Sequence, residues 1–142
     1  MDYIKPTEKM PDELAMNAYK NGYYIEAIQI LHTWLENQAQ SYVCLIGAVH
    51  FNAILKETWD IADSFKFYPC LKILFVMNHI TKQEFDSFKE VNSLRNKIVH
   101  DLYKEPYSKL NKGVSKELYD KVFKKTIEQA YFFTRKNEEI IE

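Results

Sequence analysis

YYIEAIQILHTWLENQAQSYVCLIGAV, residues 23–49, is the stretch that decides the fold. Apolar side chains recur at Ala27, Ile30, Leu31, Trp34, Leu35, Ala39, Tyr42, Val43 and Ile46. Those steps of three and four, held over many turns, mark one face of an α-helix and not the alternation of a strand. Glu26, Gln29, Glu36 and Gln40 fall largely off the stripe. The pattern predicts one long helix with a core-facing side. Its aromatic and aliphatic residues read as core rather than as a cofactor box.

The neighbouring segments read as further helices. Upstream, Pro11-Asp12-Glu13 supplies a proline and two acids for a helix start. Leu14, Ala15, Ala18 and Tyr19 give that helix a short apolar stripe, and Asn21-Gly22 stops it. Residues 1–10 read as an extended lead-in. Downstream, residues 50–68 are ambiguous. Phe51, Ile54 and Leu55 suit a helix, whereas Trp59 to Ser64 carries residues that favour turns. Pro69 suits a helix start, with Leu71, Leu74, Phe75 and Met77 following and Asn78-His79 as the end. Thr81 with Glu84 three residues on predicts a capping box, opening a helix to about Tyr103. Residues 104–113 read as a loop. Ser115 caps a last helix with Leu118, Val122, Phe123, Ile127, Ala130 and Phe133 on its buried face, followed by an acidic tail over 137–142. The expectation is a single all-α domain over 1–142, an up-down bundle of four to five helices.

Composition narrows the function. With 142 residues, 46% hydrophobic, three glycines and four prolines, the chain is long enough for a real core joined by short connections. It has no apolar run of transmembrane length, and its start, Met-Asp-Tyr-Ile-Lys-Pro, lacks the apolar stretch of a signal peptide. A soluble, cytoplasmic protein without a membrane partner is expected. Cys44 and Cys70 lack CxxC spacing and read as two reduced, buried thiols. His32, His50 and His79 form no i, i+4 pair, and no glycine-rich phosphate loop, GxSxG or HExxH occurs, so neither metal nor cofactor is expected. The net charge of −1 hides an asymmetry. Residues 1–94 carry 8 basic and 12 acidic side chains, whereas residues 95–136 carry 11 and 5. A basic second half is compatible with a phosphate-bearing ligand.

The chemistry concentrates in Asn92 to Tyr103. On a helix, Phe85, Phe88, Val91, Leu94, Ile98, Val99 and Leu102 spread over about half the circumference, with Arg95 near the middle of that arc. A guanidinium there needs a carboxylate, a phosphate or a wet cleft. Glu36, at the border of the long helix's stripe, is a candidate carboxylate. Asn96, His100 and Tyr103 share one edge of the arc at i, i+4 and i, i+3 spacing. Arg95 stays protonated and can clamp a phosphate, and His100 offers an imidazole for proton transfer.

Arg95-Asn96-Lys97-Ile98-Val99-His100, near the end of the penultimate long helix, resembles the Arg-x4-His motif of the HEPN superfamily of small helical bundles. Residues 18–27 resemble that family's opening helical hairpin. The resemblance implies a metal-independent endoribonuclease of a toxin–antitoxin or phage-defence system. It implies RNA as substrate, with the 2′-hydroxyl as nucleophile, His100 in proton transfer, Arg95 on the phosphate, and Asn96 orienting the phosphate or imidazole. Tyr103 is a candidate for the ribose or base, and Lys97 and Lys104 for the backbone. It also implies a homodimer about the motif helix, which would place two imidazoles and two guanidiniums across one cleft. A toxin branch of the family carries a tyrosine two residues after the histidine, the target of an antitoxin nucleotidyltransferase. Here the tyrosine is Tyr103, three residues on. The rival expectation is a non-catalytic module of the same family that docks a nucleotidyltransferase or another protein.

Overall fold

The computed structural model describes residues 2–103 and 113–142, and its regular elements are all helical: α1 (Pro11–Lys20), α2 (Tyr24–Phe51), α3 (Leu55–Ala62), α4 (Phe67–Val76), α5 (Lys82–Leu102) and α6 (Lys116–Ile141). α2 is the axis. It packs along α6 and against α1, α3 and α4, while α5 closes the bundle on α4 and α6. Ile28, Leu31, Phe67, Leu71, Leu74, Ile98, Val122 and Phe133 are fully buried where these helices meet. The all-α bundle expected from helical periodicity is the fold observed.

Local chemistry sets the helix ends. α1 starts with Pro11 at its first position and ends at Asn21. Gly22 then adopts φ +81°, a left-handed conformation that suits glycine. Its N–H donates to Tyr19 O and that of Tyr23 to Ala18 O, a Schellman closure that turns the chain into α2. α4 ends the same way, with Asn78 at φ 61° and the N–H groups of Asn78 and His79 donating to Phe75 O and Leu74 O. The predicted capping box is present on α5. Glu84 N–H donates to Thr81 Oγ1 at 3.0 Å, and Thr81 N–H donates to Glu84 Oε1 at 2.8 Å. Thr81→Ala removes one of these bonds and is expected to lower stability by about 1 kcal/mol in urea denaturation. An unchanged midpoint would show that tertiary packing alone holds this end.

Three details depart from the sequence reading. Residues 55–62 form a helix, α3, so six helices stand among the described residues where four to five were expected. The turn-favouring Asp63 and Ser64 terminate α3 rather than preventing it, and Ser64 Oγ donates back to Ile61 O at 2.6 Å. Gln40, placed largely off the core stripe, is buried, because α2 is covered on several sides. Its Nε2 donates to Phe65 O at 2.7 Å and Asp63 O at 3.3 Å, pinning the α3–α4 connection. The segment read as an acidic tail continues α6 to Ile141. Asn137, buried there, donates through Nδ2 to Gln38 O and Oε1, both at 3.1 Å.

Candidate functional site

Arg95 lies where the sequence placed it, in the buried arc of α5, at 9% exposure. Its charge is handled by its own helix. Nη2 donates to Asn92 Oδ1 at 3.0 Å and to Asn96 Oδ1 at 2.7 Å, one turn below and one residue beyond. Buried Nε has no hydrogen-bond partner among the described residues. Burial lowers the Arg95 pKa to about 10, with Glu36 acting in the opposite direction, so the side chain remains cationic at neutral pH.

Arg95, Asn92 and Asn96 form one wall of a cavity of about 520 Å³ between α2, α4 and α5. α2 contributes His32 and Glu36, and the start of α4 contributes Lys66, Phe67, Tyr68 and Pro69. Glu36, the carboxylate expected for Arg95, makes no ion pair with it. The α4 N-cap residue, Lys66, offers no side-chain cap, and Glu36 Oε2 instead accepts Phe67 N–H at 3.0 Å. Glu36 is therefore committed to the positive end of α4.

His32 Nε2 lies 3.4 Å from Glu36 Oε2, yet burial, followed by the Arg95 charge, lowers the His32 pKa to about 4. The imidazole is neutral at pH 7, so this contact is not an ion pair. The sign for stability follows. The unfolded state takes up a proton near pH 6.5 and the folded state only near 4, so stability is lost as pH falls through that window. Between pH 8 and pH 5 the loss from His32 amounts to about 2 kcal/mol. His32→Gln should flatten the difference between urea midpoints at those two pH values. A slope unchanged in that variant would assign it to other groups.

The second half of the motif faces elsewhere. His100 is exposed, with its Nδ1 3.5 Å from Asp101 Oδ1. Asn96, Lys97 and Tyr103 are exposed with it and continue a polar stripe that includes Lys89 and Ser93. Asn96 joins the two regions, because it lines the cavity and also stands on the exposed stripe. An i, i+5 pair is about 140° apart around a helix. One chain accordingly brings Arg95 and Asn96 together in the cavity and leaves His100 and Tyr103 outside it. Lys104, expected at the same site, lies outside the described residues.

Sequence reasoning missed His32, Lys66 and Tyr68 as cavity residues. The available signal was the His32–Glu36 pair at i, i+4 beside the stripe of α2. The approach of the α4 start to that pair is a long-range fact that periodicity does not encode.

The remaining reactive groups are quiet. Both cysteines are free and buried, and burial, with Glu36, pushes the Cys70 thiol up to about 12. Among the described residues no group of three or more His, Cys, Asp or Glu is placed to hold a metal ion, and no helix is long and apolar enough to cross a membrane. Comparison of the chain with protein-family models, curated proteins and solved structures gave no match.

Proposed function

We propose that the chain is a metal-independent endoribonuclease of HEPN type, working as a homodimer about α5 in a toxin–antitoxin or phage-defence setting. One observation carries this reading. α5 holds a buried guanidinium oriented by two asparagines at an open cavity, and a solvent-exposed imidazole a turn and a half further on. A histidine that exposed packs against little, and its position leaves it available for proton transfer. RNA supplies its own nucleophile, the 2′-hydroxyl. Cleavage then needs a proton removed from that hydroxyl, a proton delivered to the leaving 5′-oxygen, and charge stabilised on phosphorus between them. His100 serves the proton transfers, Arg95 the charge, and Asn96 fixes the guanidinium plane. Two copies of α5 side by side would bring the His100 edge of one copy toward the Arg95 cavity of the other, which a single chain does not do.

The test is cleavage of several RNAs by the purified protein in excess chelator, with its mass in solution measured alongside. Cleavage by a dimer is the expected result. A folded protein that is monomeric at micromolar concentration and leaves every RNA intact overturns the reading.

A second reading, the protein-docking module, draws on a different observation. Phe51, Ile54, Leu55, Ile61 and Val76 are all more than half exposed around the end of α2, α3 and the end of α4. Leu102, near His100, shares a pocket with Tyr24 at the opposite end of α2, so these exposed residues and His100 lie toward opposite ends of a helix about 42 Å long. Exposed apolar side chains gathered at one end of a bundle suit contact with another protein. On this reading the purified chain cleaves no RNA, and charged substitutions at Ile54 and Ile61 abolish a protein complex made there.

A further inference from the structure

We infer that the cavity between α2, α4 and α5 is a binding site for a phosphomonoester, with the phosphoryl group on Arg95 at its floor. The first reason is the unmet donor. Arg95 is more than nine-tenths buried and lines the cavity, and among the described residues its Nε has no partner, nor has Nδ1 of His32 beside it. Nη2 is taken by Asn92 and Asn96, so an anion in the cavity would accept from Nη1, which makes no hydrogen bond among the described residues.

The second reason is charge. Arg95 and Lys66 face the cavity against one carboxylate, and that carboxylate already accepts Phe67 N–H. His32 adds no charge at pH 7. Around the rim, Lys72 Nζ sits 4.6 Å and Lys89 Nζ 6.0 Å from the centre of the Tyr68 ring. The approach is therefore basic and the floor cationic, the arrangement that favours a group carrying close to two negative charges.

The third reason is the lining, buried and cationic at one side and open at the other. The floor consists of buried side chains, Phe67 and Arg95 with the largely buried His32, whereas Lys66, Pro69 and Asn96 at the mouth are exposed. A terminal phosphate reaches Arg95 while the organic part of the molecule rests against Tyr68 and Pro69. The volume, about 520 Å³, lies in the range of small-molecule sites.

This goes beyond RNA cleavage, because it asks only that Arg95 receive a phosphoryl group and nothing of His100. Two sources share the chemistry, a small free phosphate ester and the phosphorylated end of an oligoribonucleotide. Calorimetric titration of the full chain with ribose 5-phosphate, and with one hexaribonucleotide bearing or lacking a 5′-phosphate, separates them. Binding of either phosphorylated probe, at least tenfold tighter than of its unphosphorylated counterpart, is expected, and whichever binds identifies the source. Arg95→Met should weaken it at least tenfold and Lys66→Ala about threefold, whereas His100→Ala should bind as the wild type does. The His32 ring protons give a readout independent of whether a variant folds, since a bound anion raises the pH at which that ring titrates. The inference is overturned if no phosphorylated probe binds the folded wild type at millimolar concentration. It is equally overturned if folded Arg95→Met binds with unchanged affinity, or if binding leaves the His32 titration where it was. Failure of cleavage with phosphate binding intact would count against the nuclease reading alone.

Discussion

Phe133→Ala is expected to lower the free energy of unfolding by about 3–5 kcal/mol, the largest stability loss of any single truncation in the chain. Phe133 on α6 is fully buried, and its ring is where the helices converge. Its centroid lies 5.0 Å from that of Phe88 on α5, 6.3 Å from Phe67 on α4 and 6.3 Å from Tyr42 on α2. Truncation removes the ring from all three neighbours and leaves a void that rigid aromatic walls fill poorly. A domain of this size is commonly stable by about 5–15 kcal/mol, so the loss is a large fraction of the total. Urea denaturation monitored by circular dichroism measures it. A loss below about 1.5 kcal/mol would mean that the helices close up around the gap and that the aromatic cluster is not the keystone it looks to be.

Phe133 was legible as a core residue before any coordinates existed, and so were most residues like it. Helical periodicity names the face that each helix buries, because burying that face is what makes the helix stable in water. Capping is legible for a related reason: the Thr81–Glu84 box involves four consecutive residues and depends on nothing else. Arg95 could be placed in the buried arc of α5 on the same grounds. What could not be read was who meets whom. Gln40 looks like a solvent-facing position until α3 and α4 fold over that side of α2. Glu36 looked like the partner of Arg95, but the α4 N-terminus, with no cap of its own, claims it. Arg95 then turns to Asn92 and Asn96 on its own helix. The cavity is thus a product of three helices meeting, and Lys66, Phe67 and Tyr68 in its lining carry no distinguishing mark in the chain.

Those same contacts give the proposed function its sharpest test, because catalytic and structural roles for Arg95 predict opposite results. If Arg95 were there to hold the bundle together, replacing it would break a buried charge network at a cost of about 3–5 kcal/mol. The geometry argues otherwise. The guanidinium is desolvated, and among the described residues its Nε is unpaired and no carboxylate forms an ion pair with it. Methionine fills similar space with an apolar, flexible side chain. The two asparagines that lose their donor are partly or fully exposed and can turn to water. Arg95→Met is therefore expected to change stability by less than about 1 kcal/mol in either direction, since loss of hydrogen bonds offsets relief of desolvation. RNA cleavage should nevertheless fall by about 10²–10³-fold, the effect of removing one stabiliser of transition-state charge. His100→Ala should behave in parallel. Its side chain is 74% exposed, so stability is unaffected, while loss of the proton-transfer group lowers cleavage by about 10²–10⁴-fold. Urea midpoints and single-turnover cleavage in chelator, measured on both variants, decide the matter. Stability retained with activity lost at both positions assigns them to chemistry. A large stability loss at Arg95 beside unaltered cleavage in His100→Ala would return Arg95 to the architecture and remove His100 from the mechanism.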